Sequence, residues 1–205
     1  MKGRFITFEG SEGCGKSTQS KLLYKFLKQK GYNVIYLREP GGTRISEKIR
    51  KILLDSQNHI SSLCEVLLYM AARAEAVNKA IKPALLRGKI VVCDRFLDST
   101  LAYQGYGLGV DIKFIKMVGN FVTLGIKPDL TIFLDLPVKE GLKYRHLVKD
   151  RIEKRSIAYH LRVRKGYLKL AHLEPKRIKI IKVDCDKNKT QGKIRELVYK
   201  FLGSD

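Results

Sequence analysis

Gly10-Ser11-Glu12-Gly13-Cys14-Gly15-Lys16-Ser17 is a complete GxxxxGK[ST] pattern, the signature of a phosphate-cradling loop. An apolar run, Arg4–Glu9, precedes it. A helical pattern, Lys16–Lys30, follows, with Leu22, Leu23, Phe26 and Leu27 on one stripe and Gly31 as a stop signal. In that context the glycines let backbone N–H groups curl around phosphate oxygens, and the N-terminus of the next helix adds its positive end. Lys16 is then expected to reach the β- and γ-phosphates and Ser17 to ligate Mg²⁺. The loop names a nucleoside triphosphate and leaves the acceptor open, because unrelated activities share it.

Further short apolar runs at Asn33–Arg38, Lys89–Asp94, Asp129–Asp135 and Ile178–Val183 alternate with helical patterns at Ile60–Lys82, Asp111–Leu124, Lys139–Lys149 and Thr190–Leu202. The strands are mostly apolar on both faces, although Lys179 and Lys182 interrupt the last, as in a parallel sheet covered by helices, so the expectation is a doubly wound α/β domain with ligands at the carboxyl ends of its strands. Pro83 marks the end of the long helix or a kink in it. No internal repeat or linker divides the 205 residues, a length suited to one domain with a modest insertion.

Composition removes several classes. No apolar run approaches the roughly 18 residues that span a bilayer. Glu9 interrupts the first apolar stretch too early for a secretory signal. Cys14, Cys64, Cys93 and Cys185 are widely spaced without a CxxC pair, which argues for reduced packing residues, and the expected location is the cytoplasm. The formal net charge is +21, and residues 139–182 supply +11 of it from 15 Lys or Arg against 4 Asp or Glu, so this basic segment reads as an insertion. Tyr144, Tyr159 and Tyr167 lie among those cations, a composition that single-strand nucleic-acid binders also use.

Two residue clusters directly follow strands. Arg38-Glu39-Pro40-Gly41-Gly42-Thr43 offers a turn that permits close backbone approach and a planar guanidinium for a phosphate. Asp94-Arg95-Phe96-Leu97-Asp98-Ser99-Thr100-Leu101-Ala102-Tyr103-Gln104-Gly105 begins with a carboxylate suited to Mg²⁺ or its water, beside an arginine that could bridge two phosphates. Asp135 is a second strand-ending carboxylate, without such an arginine. On the long helix Tyr69 and Arg73 stand at i and i+4, placing an aromatic plane and a guanidinium on one face.

With these stretches in place the chain resembles the bacterial thymidylate kinases over nearly its whole length. FEGxEGxGKST at Phe8–Thr18, REPGGT at Arg38–Thr43, the AxR element at Ala71–Arg73 and DRFxxSTxAYQG at Asp94–Gly105 stand in that family's order. The resemblance implies a P-loop nucleoside monophosphate kinase-like fold, transfer of the ATP γ-phosphate to dTMP with Mg²⁺, a homodimer, and no specific nucleic-acid or membrane partner. It implies ATP contacts from Gly10 through Thr18 and Mg²⁺ held near Ser17 and Asp94. Tyr69 would stack on thymine, where the family usually has Phe, and Arg73 would meet its carbonyl edge. Arg38 and Arg95 would hold the dTMP phosphate, Glu12 would approach the 3′-hydroxyl, Tyr103 would crowd the 2′ position, and Thr100 and Gln104 would line the base pocket. One branch of the family carries an arginine at position 13. Here Gly13 replaces it, so the missing cation is expected from a basic lid at about residues 141–156, where Asp150-Arg151-Ile152-Glu153 matches the DRIE element. Arg151 is the expected γ-phosphate cation, and Arg145 is expected at the same phosphate or against adenine.

Overall fold

Five strands pair in parallel in the order β2-β3-β1-β4-β5, with β1 at Arg4–Glu9, β2 at Val34–Arg38, β3 at Ile90–Asp94, β4 at Leu130–Asp135 and β5 at Ile178–Lys182. This computed structural model describes residues 3–144 and 150–203. Residues of β1 and β3 are buried on both faces, which is why they read as continuous apolar runs rather than alternating ones. The register sets Phe8 and Arg38 each opposite Asp94, and Glu9 opposite Phe133. Glu9, Arg38 and Asp94 therefore emerge together at the carboxyl edge, where a doubly wound sheet gathers its ligands.

On one face, α1 (Lys16–Gln29) and α9 (Lys187–Leu202) pack Leu23, Leu27, Ile194 and Val198 onto Ile6, Phe8, Val92 and Ile132. On the other, α3 (Ser62–Ala76) runs through a π-helical turn, Val77–Ile81, into α4 (Lys82–Leu86). Pro83 falls directly after the π-helical turn, and the helix continues past it to Leu86. Val77 and Ile81 cover Phe5, Val91 and Cys93. Helix α2 (Arg44–Leu54), capped by the Thr43 hydroxyl, and α5 (Leu97–Thr100), which continues as a π-helix over Leu101–Gly107, were not legible beforehand.

The basic segment corrects the sequence reading. Residues 157–173 form α8, a core helix that buries Tyr159, Val163, Tyr167 and Leu170 against the Leu101–Gly107 π-helix, in one cluster with Ile115 of α6 (Ile112–Val122). Each such side chain stabilises the fold by roughly 1.5–3 kcal/mol. Tyr159 and Tyr167 are only 3% and 2% exposed, so they are unavailable for stacking on a nucleic-acid base. The helix expected at Lys139–Lys149 begins as α7 (Val138–Gly141) followed by a single 3₁₀ turn to Tyr144, and its remainder lies outside the described residues. Of the cysteines expected to pack in the core, Cys14 and Cys93 do so, whereas Cys64 and Cys185 are exposed.

Candidate active site

The phosphate loop ends in Gly15, at φ 83°, which passes directly into α1 with no side-chain cap and no acid in the first turn. The first N–H groups of α1 are thus left for an anion, with the helix dipole behind them. Lys16 is buried and its Nζ donates to the Ser11 carbonyl at 2.6 Å, arching back over the loop. A Cβ at Gly13, where φ is 73°, would collide with the Gly141 carbonyl. No side chain fits at position 13 while α7 stays where it is, so the arginine of the other family branch is excluded here sterically.

Beside the loop, Ser17 Oγ donates to Asp94 Oδ2 at 2.5 Å. The Asp94 side chain is 2% exposed, and its Oδ1 has no partner among the described residues. A hydroxyl next to a buried carboxylate with an idle oxygen is a donor set suited to a hard, oxygen-ligated cation such as Mg²⁺, which takes few protein ligands and completes its shell with phosphate and water. Asp135, the runner-up carboxylate, is committed to a two-point pair with Arg164 at 2.7 and 2.9 Å.

Arg95 occupies the centre. Its positive φ of 73°, a conformation that costs a non-glycine residue of order 1–3 kcal/mol, turns the chain sharply after β3 while its N–H stays bonded to the Phe8 carbonyl at 2.9 Å. The guanidinium donates to Glu12 Oε1 at 2.8 Å, the Tyr103 hydroxyl at 3.1 Å and Ser99 Oγ at 3.1 Å, and lies over the Tyr103 ring. Burial alone would raise the Glu12 carboxyl, but Arg95, Lys16 and the Tyr103 hydroxyl hold it down to about 2. Beneath them Glu9 accepts from Phe96 N, Ser99 Oγ and the Tyr167 hydroxyl, and burial together with nearby Asp98 pushes its carboxyl up to about 7.

Two cavities meet at this arginine. One is bordered by Glu12, Gly13, Gly15, Lys16, Ser17, Thr18, Arg38 and Asp94, the phosphate side. Its neighbour is bordered by Tyr69, Arg73, Thr100, Tyr103, Gln104 and Leu54. Glu12, Glu39, Arg50, Arg95 and Asp150 border both. Tyr69 and Arg73 do share a helix face. Arg73 is 2% exposed and donates from Nε to Glu39 Oε2 at 2.7 Å and from Nη2 to the Phe96 carbonyl at 3.1 Å, so it is also a buried structural ion. Arg38 is half exposed and among the described residues reaches only Glu47, at 3.4 Å.

Arg151 is not where the motif placed it. It borders neither cavity; Nε donates to the Leu53 carbonyl at 2.8 Å and Nη1 to Glu65 Oε2 at 2.6 Å. Asp150 caps its own turn through Ile152 N and Glu153 N, and Ile152 is buried, so DRIE here docks the 150–156 segment on α2 and α3. Arg145 lies outside the described residues. Sequence reasoning missed Arg50, which donates to the Pro40 carbonyl at 3.1 Å and whose guanidinium pKa is lowered by burial and by Arg38 and Arg95. Its position seven residues after Thr43 on the helix that REPGGT opens was the available signal.

A phosphate loop feeding one cavity, a second pocket with an aromatic and polar lining beside it, and an arginine between the two define a P-loop nucleoside monophosphate kinase. The comparisons narrow the class. The thymidylate kinase family model matches residues 8–194. A thymidylate kinase of Thermoanaerobacter sp. (strain X514) is 47% identical over 203 residues, covering 98% of this chain and all of that one. One from Halothermothrix orenii is 48% identical over 208 residues, covering 99% and 98%. The crystal structure of thymidylate kinase from Ehrlichia chaffeensis superposes with a TM-score of 0.80 at 36% identity, covering 97% of this chain and 99% of that one. The chain belongs to the thymidylate kinase family, and its reaction is ATP-dependent phosphorylation of dTMP to dTDP.

Proposed function

We propose that this single domain runs the reaction by holding two polyanions end to end across Arg95. The observation that carries this reading is the junction of the two cavities, which share Arg95 and Arg50. ATP phosphates lie along the loop from Gly10 to Thr18 with Lys16 over them. dTMP lies in the second cavity, its base between Tyr69 and the Thr100–Gln104 turn and its sugar by Glu12 and Tyr103. Its phosphate faces Arg95, Arg38 and Arg50. The attacking group is an ionised phosphate oxygen, so positioning and charge neutralisation suffice and no general base is required. Mg²⁺, held with ATP by Ser17 and Asp94, supplies further neutralisation when bound.

Residues 141–156 act as the lid. Arg151 anchors it rather than reaching the γ-phosphate, so the arginines at the cavity junction and Lys16 carry the transferred charge. Exposed Leu63 and Leu67 on α3 and Met117 and Phe121 on α6, the last 81% exposed, support a homodimer through these adjacent helices. No helix among the described residues is long and apolar enough to cross a membrane, and the free cysteines support a reducing, cytoplasmic setting. Coupled ADP release with a panel of nucleoside monophosphates tests the assignment. Turnover with dTMP and little with purine nucleotides is expected; turnover dependent on an oligonucleotide instead would overturn it.

A further inference from the structure

Glu65 has no role in the reading above, yet it is wholly buried in the first turns of α3. Its two oxygens face different neighbours. Oε1 accepts from Gln104 Nε2 at 2.7 Å, while Oε2 accepts from Arg151 Nη1 and Arg155 Nη2, both at 2.6 Å. Arg155 also donates to the Tyr159 hydroxyl, which itself donates to the Tyr103 carbonyl, so the cluster is built into the wall of the base cavity.

A side-chain amide can present either edge, and a neighbour that only accepts removes the choice. Glu65 makes Gln104 point its NH₂ inward. The carbonyl oxygen of Gln104 has no partner among the described residues, and Gln104 borders the base cavity. Thr100 Oγ1, also buried there without a partner among the described residues, can donate or accept and so does not discriminate.

We propose that Glu65 is a specificity-positioning residue: by fixing the Gln104 amide it makes the pocket present an acceptor, which takes the ring N–H between two carbonyls of thymine and rejects the acceptor ring nitrogen of cytosine. This rests on the dTMP reading of the second cavity. The two arginines set the outcome of a single substitution. In Glu65→Gln the arginines, which have no acceptor atoms, hold the new carbonyl, so the new NH₂ faces position 104. Gln104 then turns its own carbonyl inward and its NH₂ toward the base.

The test is the ratio of kcat/KM for dTMP to that for dCMP, in the full chain, for wild type, E65Q and E65D, each checked for folding by circular dichroism. E65Q is expected to lower the ratio about 10- to 100-fold, since a donor now meets the thymine N–H while the cytosine nitrogen gains a partner. E65D, which withdraws the carboxylate and frees the amide, is expected to lower it less; this variant decides the matter if E65Q does not fold. A purely structural role would lower both activities together and leave the ratio unchanged, overturning the inference alone. Wild-type turnover of dCMP equal to that of dTMP would overturn the base-pocket reading and the inference with it.

Discussion

Arg73→Ala tests whether the base cavity and the fold share one buried ion pair. The substitution removes a guanidinium bonded to Glu39 at 2.7 Å and to the Phe96 carbonyl at 3.1 Å, with its carbon 5.3 Å from the Phe96 ring centroid. Glu39 is 3% exposed and its Oε1 is already without a partner among the described residues. Burial pushes the Glu39 carboxyl up, and Arg73 opposes that; without Arg73 a buried carboxylate is left uncompensated. Breaking such a pair costs roughly 3–5 kcal/mol, a large share of a typical total stability of about 5–15 kcal/mol. Urea unfolding at pH 8 is the assay, with Glu39→Gln and the double variant completing a cycle. The double variant is expected to be less destabilised than the sum of the singles by about 2 kcal/mol or more. Additivity within about 0.5 kcal/mol would refute the coupling. Because both residues border the base cavity, Arg73→Ala is also expected to lose the rise in midpoint that dTMP gives the wild type; an undiminished rise would place Arg73 outside the base site.

Lys16→Ala is expected to lower kcat at least about 100-fold while dTMP KM changes little, because the lysine borders the phosphate-side cavity and not the proposed dTMP cavity; steady-state kinetics checks this, and an equal rise in dTMP KM counts against it. Gly13→Arg, an attempt to restore the other branch's cation, is expected to destabilise the chain and lower turnover, since the side chain must displace the Gly141 carbonyl; a thermal melt and a rate assay suffice. Glu9 is raised from 4.5 to about 7, so its stabilising contribution is complete below pH 4.5 and is lost as pH rises through 7. Glu9→Gln is therefore expected to gain stability relative to wild type as pH rises from about 5 to 8, approaching roughly 3 kcal/mol, and urea midpoints across that range test it.

The strands were legible to within a residue: β1, β3 and β4 are mostly apolar runs buried on both faces, whereas the edge strands β2 and β5 are only partly buried, and β5 carries Lys179 and Lys182 among its isoleucines. Helix α8 was hidden by its charge. Its buried set, Tyr159, Val163, Tyr167 and Leu170, does follow helical spacing, but lysines and arginines fill the positions between, and Gly166 interrupts the run. The structure accounts for that glycine, since a Cβ there would meet the Tyr106 ring at 2.7 Å. That Arg38, Asp94 and Arg95 stand at strand ends beside the cavities was readable from motif spacing. Glu65 was not: it is one glutamate on a helix until residues 39, 86 and 90 positions away converge on it. The DRIE element shows the opposite failure, since the motif was visible while the contacts of Arg151, set by α2 and α3, were not.

The charge of +21 divides along the chemical difference between its two cations. Arginine does the interior work: Arg73, Arg95, Arg151, Arg155, Arg164 and Arg177 each reach a carboxylate within 2.9 Å. A planar, weakly hydrated guanidinium can be buried against a carboxylate at lower cost than an ammonium. Among the described residues Lys16 is the sole buried lysine, where a compact point charge suits a phosphate, and nearly all the others are exposed. The surplus is therefore mainly solvated lysine spread over helix exteriors, outside both cavities. Such charge governs solubility and long-range attraction of polyanions, including both substrates, and is screened beyond about 10 Å at 0.1 M salt. Salt should accordingly slow nucleotide association more than it alters the chemical step, because Arg50 and Arg95, which border both cavities, are partly buried and already hydrogen-bonded within the protein.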